Sequence, residues 1–75
     1  MSRPRKHSLT IGGHRTSVSL EDDFWAGLRE IAVERGQGIN EIATEIDAAR
    51  DRETGLATAM RLFVLRHYRD RAMGL

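Results

Sequence analysis

The chain has 75 residues, enough for one small domain whose core is marginal for an isolated subunit, and such chains often gain stability by association. It has no cysteine, which excludes disulfides and thiolate metal sites, and its 40% hydrophobic and 31% charged residues describe a folded soluble domain rather than a disordered one. Net charge is only +1, yet residues 1–20 carry Arg3, Arg5, Lys6 and Arg15 with no acid, while eight arginines against eleven acids leave residues 21–75 at −3.

A basic start on an acidic body is the asymmetry of a chain that meets an anion with its N-terminal end, although a short basic tail also serves solubility alone. No apolar run approaches the roughly 20 residues of a membrane span. The opening "MSRPRKHS" lacks the apolar stretch that a secretory signal needs. A cytoplasmic protein without membrane contact is the expectation.

In chain order, residues 1–6 read as a flexible basic arm and residues 7–75 as a single domain. "HSLTI" (7–11) alternates, with Leu9 and Ile11 apolar, and "GG" at 12 and 13 signals a turn or bulge. "HRTSVSL" (14–20) alternates again, with Thr16, Val18 and Leu20 on one side and Arg15, Ser17 and Ser19 on the other. No later segment reads as a strand. This one therefore pairs with residues 7–11 in a hairpin, with its own copy in a second chain, or with both, since a strand has two edges. A hairpin turning at Gly12-Gly13 sets Ile11 opposite His14 and Leu9 opposite Thr16.

"EDD" (21–23) opens a first helix, its acids facing the positive end of the helix dipole. Phe24, Leu28, Ile31, Ala32 and Arg35 recur on one face, and Gly36 supplies a left-handed cap. A second helix starts at Ile39 or Asn40 with an apolar stripe of Ile39, Ile42, Ala43, Ile46 and Ala49. "RDRETG" (50–55) reads as a connection, with Thr54 as N-cap of a third helix from about Leu56 to Ala72. That helix carries Leu56, Met60, Phe63, Val64 and His67 on one stripe, widened by Ala59 and Leu62. Its other face, with Arg61, Arg66, Arg69 and Arg71, is solvated or meets a partner.

No enzyme constellation is visible: Ser17 and Ser19 lie near His14 in sequence, but no acid stands by to orient the histidine. His7, His14 and His67 lack the spacing of a helical metal site, so no metal and no cofactor are expected. Phe24 and Trp25 read as packing residues.

"RTSVSLEDDFWAGLREIAVERGQGINEIATEI" (15–46) resembles the ribbon-helix-helix family of Arc-type and MetJ-type DNA-binding proteins, over about 32 of the 75 residues. With "HSLTIGGHRTSVSLEDDFW" and "ATAMRLFVLRHYRDR" included, the chain is similar to a small three-helix subgroup of that family. The resemblance implies a mainly α fold: an N-terminal strand, alone or in a hairpin, and three helices, in an intertwined homodimer. It implies a dimeric transcriptional regulator whose paired strands read the major groove of double-stranded DNA. Arg15, Ser17 and Ser19 then fall at the base-contacting positions. Gly38, Ile39 and Asn40 fall at the turn that holds a phosphate, with Arg3, Arg5 and Lys6 along the flanking backbone. The dimer core is expected to comprise Thr16, Val18, Leu20, Phe24, Leu28, Ile31, Ile39, Ile42, Ile46, Met60 and Phe63. Many relatives have Ser or Thr where this chain has Gly38, so helix anchoring there is expected to be weaker. A scaffold or antitoxin-like adaptor that binds protein on the same fold is the alternative; low net charge, Gly38 and the width of a hairpin-based sheet all favour it.

Overall fold

A computed structural model describes residues 3–74 of the protein, and the elements run β1 (Arg5–Ile11), β2 (His14–Leu20), α1 (Asp22–Glu34), α2 (Ile39–Ala49) and α3 (Leu56–Ala72). The two strands form an antiparallel hairpin that pairs Arg5 with Leu20, Leu9 with Thr16 and Ile11 with His14. Gly12 and Gly13 make its two-residue turn at φ 57° and 84°. Positive φ at both central positions is the type I′ geometry, whose twist matches that of the flanking strands, and it explains why two glycines stand there. Strand pairing begins at Arg5, so Arg5 and Lys6, expected in a flexible arm, are strand residues held by Leu20 and Ser19 opposite, while residues 1 and 2 of that arm lie outside the described residues.

The helices cover one face of this hairpin. Leu9, Val18 and Leu20 are buried with Leu28, Ile31 and Ala32 of α1, Ile42, Ala43 and Ile46 of α2, and Met60 and Val64 of α3. One chain thus closes a core of its own. Of the residues expected in a dimer core, Val18, Leu20, Leu28, Ile31, Ile42, Ile46 and Met60 are buried within this single chain, and Phe24, Ile39 and Phe63 are half-buried against them. Thr16, also expected in the dimer core, is on the inner face and exposed in the single chain, at the turn end of β2, where α2 packs against β1 instead.

α1 ends in a Schellman motif. Gln37 N–H donates to Ala32 O at 2.8 Å and Gly36 N–H to Val33 O at 3.0 Å, with Gly36 at φ 67°. Gly27 brings α1 close to α3, because a Cβ added there would lie 2.9 Å from Val64 Cγ1. The connection 50–55 is stapled by Arg50, which donates from Nε to Asp47 Oδ1 and from Nη1 to Thr54 O, both at 2.8 Å. The N-cap of α3 is Gly55 rather than the expected Thr54, since Gly55 O accepts the first helical bond from Ala59 N–H.

Candidate nucleic-acid interface

Facing residues of an antiparallel pair share a side of the sheet. The register therefore sorts the hairpin into two faces. Arg5, His7, Leu9, Ile11, His14, Thr16, Val18 and Leu20 face the helices; Lys6, Ser8, Thr10, Arg15, Ser17 and Ser19 face away. Every residue of the outer set is polar, all but the half-buried Thr10 are exposed, and the set carries two cations and no acid. The expected readers Arg15, Ser17 and Ser19 lie together there. Sequence reasoning missed Ser8 and Thr10 and placed Lys6 in an arm, although the predicted turn register already puts all three across from the readers.

The edges of the hairpin differ. The two-residue turn makes Ile11–His14 a hydrogen-bonded pair, and pairs alternate from there along the ladder. The backbone N–H and C=O groups of Lys6, Ser8 and Thr10 thus point off the β1 edge, and those of Arg15, Ser17 and Ser19 off the β2 edge. α2 covers part of the β1 edge: Asn40 Oδ1 accepts from Thr10 N–H at 2.9 Å and Thr44 Oγ1 from Gly12 N–H at 3.3 Å. On the β2 edge Ser19 O accepts from Arg61 Nη2 at 3.4 Å; Arg15 and Ser17 have no backbone bond beyond that edge among the described residues.

Arg61, expected on a face that is solvated or meets a partner, clamps the junction of β2 and α1. Its Nε donates to Glu21 Oε1 at 2.8 Å, and that bond from Arg61 holds the Glu21 carboxyl below its ordinary value of 4.5. Arg71 likewise forms a two-pronged pair with Glu34, at 2.9 and 2.7 Å, which lowers the Glu34 pKa. Tyr68 donates to Glu30 Oε2 at 2.7 Å, which raises the tyrosine pKa. Arg5 also leaves the outer set: it lies on the inner face, 3.4 Å from Asp22. Arg3 is exposed just before β1.

The start of α2 is open. Glu41 Oε1 accepts from Gly38 N–H at 3.4 Å, but Gly38 has no side chain to return a bond, so Ile39 and Asn40 have no side-chain cap on their N–H groups. The same Glu41 puts a negative charge where an anion would sit, and the Asn40 side chain is committed to β1. The histidines stay apart in role. His7 stacks flat on Trp25 with ring centres 3.8 Å apart, His14 is exposed beside the turn, and His67 lies edge-on to Tyr68.

A hairpin with one polar face, followed at once by three helices that close a core on its other face, defines a small strand-first helical domain. The model of the ribbon-helix-helix domain family matches residues 4–68, most of the chain, and the protein belongs to that family. Its members are generally DNA-binding transcription regulators or antitoxins, typically dimeric and without enzymatic activity. No curated protein and no solved structure matches the chain. Among the described residues no helix is long and apolar enough to cross a membrane.

Proposed function

We propose that the protein is a homodimeric DNA-binding regulator that presents the outer face of its hairpin to the major groove. The observation that carries this reading is that face itself: Lys6, Ser8, Thr10, Arg15, Ser17 and Ser19, all polar, two of them cationic, with no acid among them. In this reading the open β2 edge pairs antiparallel with the same edge of a second copy about a twofold axis at Ser17. Arg15 then bonds opposite Ser19 of the other copy, and the sheet becomes four strands wide with the two β2 strands at its centre.

The dimensions sort the roles. Strands lie about 4.8 Å apart, so four span roughly 14 Å between outer axes, more than the ~12 Å width of the major groove. Only the central pair enters. Arg15 reaches guanine O6 and N7, and Ser17 and Ser19 make shorter contacts to base edges. The outer β1 strands ride at the groove walls, which brings Lys6 to the phosphates, with Arg3 beyond it. At the turn of Gly38, Ile39 and Asn40, the Ile39 and Asn40 backbone N–H groups face a further phosphate; with the Gly38 N–H already bonded to Glu41, this contact is the weakest of the set. Arg5, paired with Asp22, acts from the side of the sheet.

The test is fluorescence-polarisation binding to duplex DNA across a salt series. Saturable binding that weakens with salt, and weakens about 10-fold or more in Arg15→Ala, is expected. A specific observation favours a second reading as a protein-binding scaffold or antitoxin-like adaptor: β2 is already paired and the core already closed in a single chain. That reading predicts no DNA binding even at low salt.

A further inference from the structure

A groove of about 560 Å³ lies among the C-terminal end of α1, the second half of α2, the 50–55 connection and α3, and no residue of the hairpin lines it. Its floor is apolar, formed by Ile46, Ala49, Ala59, Leu62 and Phe63. Arg35, Arg50 and Arg66 stand around it, together with His67 and the acids Asp51 and Asp70.

The three arginines are engaged differently. Arg50 is tied to Asp47 and to Thr54 O. Arg35 lies 5.3 Å above the Phe63 ring and only loosely pairs with Glu45, at 3.7 Å. Arg66 makes no ion pair or hydrogen bond among the described residues, although Asp70 follows one turn later on the same helix. One available guanidinium, a second held loosely over an aromatic ring and an apolar floor form a mixed surface of the kind that orients a small ligand.

We propose that this groove binds a small amphipathic monocarboxylate, with its apolar body on Phe63, Leu62 and Ala59 and its carboxylate on Arg66 and Arg35. Size favours a small molecule over a protein: ligand sites run about 300–1,000 Å³, whereas a stable protein interface draws on roughly 20–30 residues a side, about twice the twelve that line this groove. Charge favours a monoanion. A dianionic phosphate would face Asp51 and Asp70 with too few free cations to offset it. A planar carboxylate accepts the two parallel N–H groups that arginine offers. Because the groove joins the C-terminal ends of α1 and α2 to one side of α3, its ligand ties the three helices together. The site shares no residue with the hairpin face proposed to meet DNA.

The test is an amide-shift NMR titration of the full chain with 4-phenylbutyrate and with octanoate, and 4-phenylbutanol as the neutral control. Saturable shifts are expected at Arg35, Arg50, Ala59, Phe63 and Arg66, with dissociation constants in the millimolar range for fragments of this size, and a thermal midpoint that rises with ligand. Arg66→Gln keeps a good helix former at a surface position and should weaken binding about tenfold. Ala59→Leu should abolish it by filling the floor, and Arg15→Ala should leave it unchanged. Absence of saturable shifts with both acids, equal binding of 4-phenylbutanol, or indifference to Arg66→Gln would overturn the proposal. So would groove amides that become protected only at concentrations where sedimentation finds a dimer, which would make the groove a contact between copies.

Discussion

The two faces of the hairpin are built from the same fourteen strand residues, taken alternately, and have different fates. Leu9, Val18 and Leu20 of the inner face are at most 5% exposed, and each meets helix side chains that hold it in place. On the outer face nothing among the described residues packs over Lys6, Ser8, Arg15, Ser17 or Ser19. Stability dictates the inner face within narrow limits. On the outer face it asks only for solubility, which any mixture of polar residues satisfies. A face that carries only hydroxyls and cations is more selective than solubility requires, and that surplus is what the DNA-binding reading explains.

Neighbouring positions break the comparison most sharply. Leu20→Ala should cost about 2–5 kcal/mol of unfolding free energy in denaturant titration, because a fully buried side chain is removed. Ser19→Ala, one residue away on the outer face, should change it by less than about 0.5 kcal/mol. If both destabilise alike, the outer face is covered by something in the folded state. Arg15→Ala should follow Ser19→Ala in stability while lowering DNA affinity by roughly 1–3 kcal/mol, so the two readouts separate in one variant. Ser17→Pro removes an N–H that points off the open β2 edge and leaves the bonds to β1 intact. It should shift sedimentation towards the single subunit with the hairpin preserved.

Gly13→Ala sharpens the comparison from the turn, since φ 84° strains any residue with a Cβ. A loss of about 1 kcal/mol is expected, without any change in which residues face the helices. The smallest effect is set by pH. Glu21 and Glu34 have folded pKa values below the ordinary 4.5, lowered chiefly by bonds from Arg61 and Arg71. Their contribution is complete above the unfolded value and lost as pH falls through the folded ones, so the thermal midpoint should drop below about pH 4.5. Tyr68 has the opposite sign: raised above 10.0, it contributes fully below that value and loses its contribution as pH rises through the folded pKa. Arg61→Ala should remove the Glu21 part of the acid dependence and leave the Glu34 part and the alkaline limb in place.

Local chemistry made much of this legible. Two adjacent glycines between alternating runs signal a turn or bulge and leave the hairpin as one of the open pairings; once the hairpin forms, Ile11 stands against His14, and from that one pair every facing residue follows. The three helices follow from apolar spacing and from Gly36. Contacts between residues far apart in sequence were not legible. Arg61 meets Glu21 across forty positions, the Asn40 side chain holds Thr10 N–H, and His7 stacks on Trp25; each depends on how elements dock. The helix bounds Leu56–Ala72 follow from the apolar spacing, but the N-cap falls on Gly55 and not on Thr54, the better cap by type, because Arg50 takes the Thr54 carbonyl and the helix begins on Gly55 O.

The unequal edges of the hairpin also bear on how far assembly runs. Asn40 and Thr44 occupy part of the β1 edge, and the remainder presents Lys6, a charge that resists strand addition. In the dimer reading, a subunit that pairs along β2 is left with only residues 6–8 of the β1 edge. The Lys6 charge there works against a further strand, and this favours a discrete particle over a fibre.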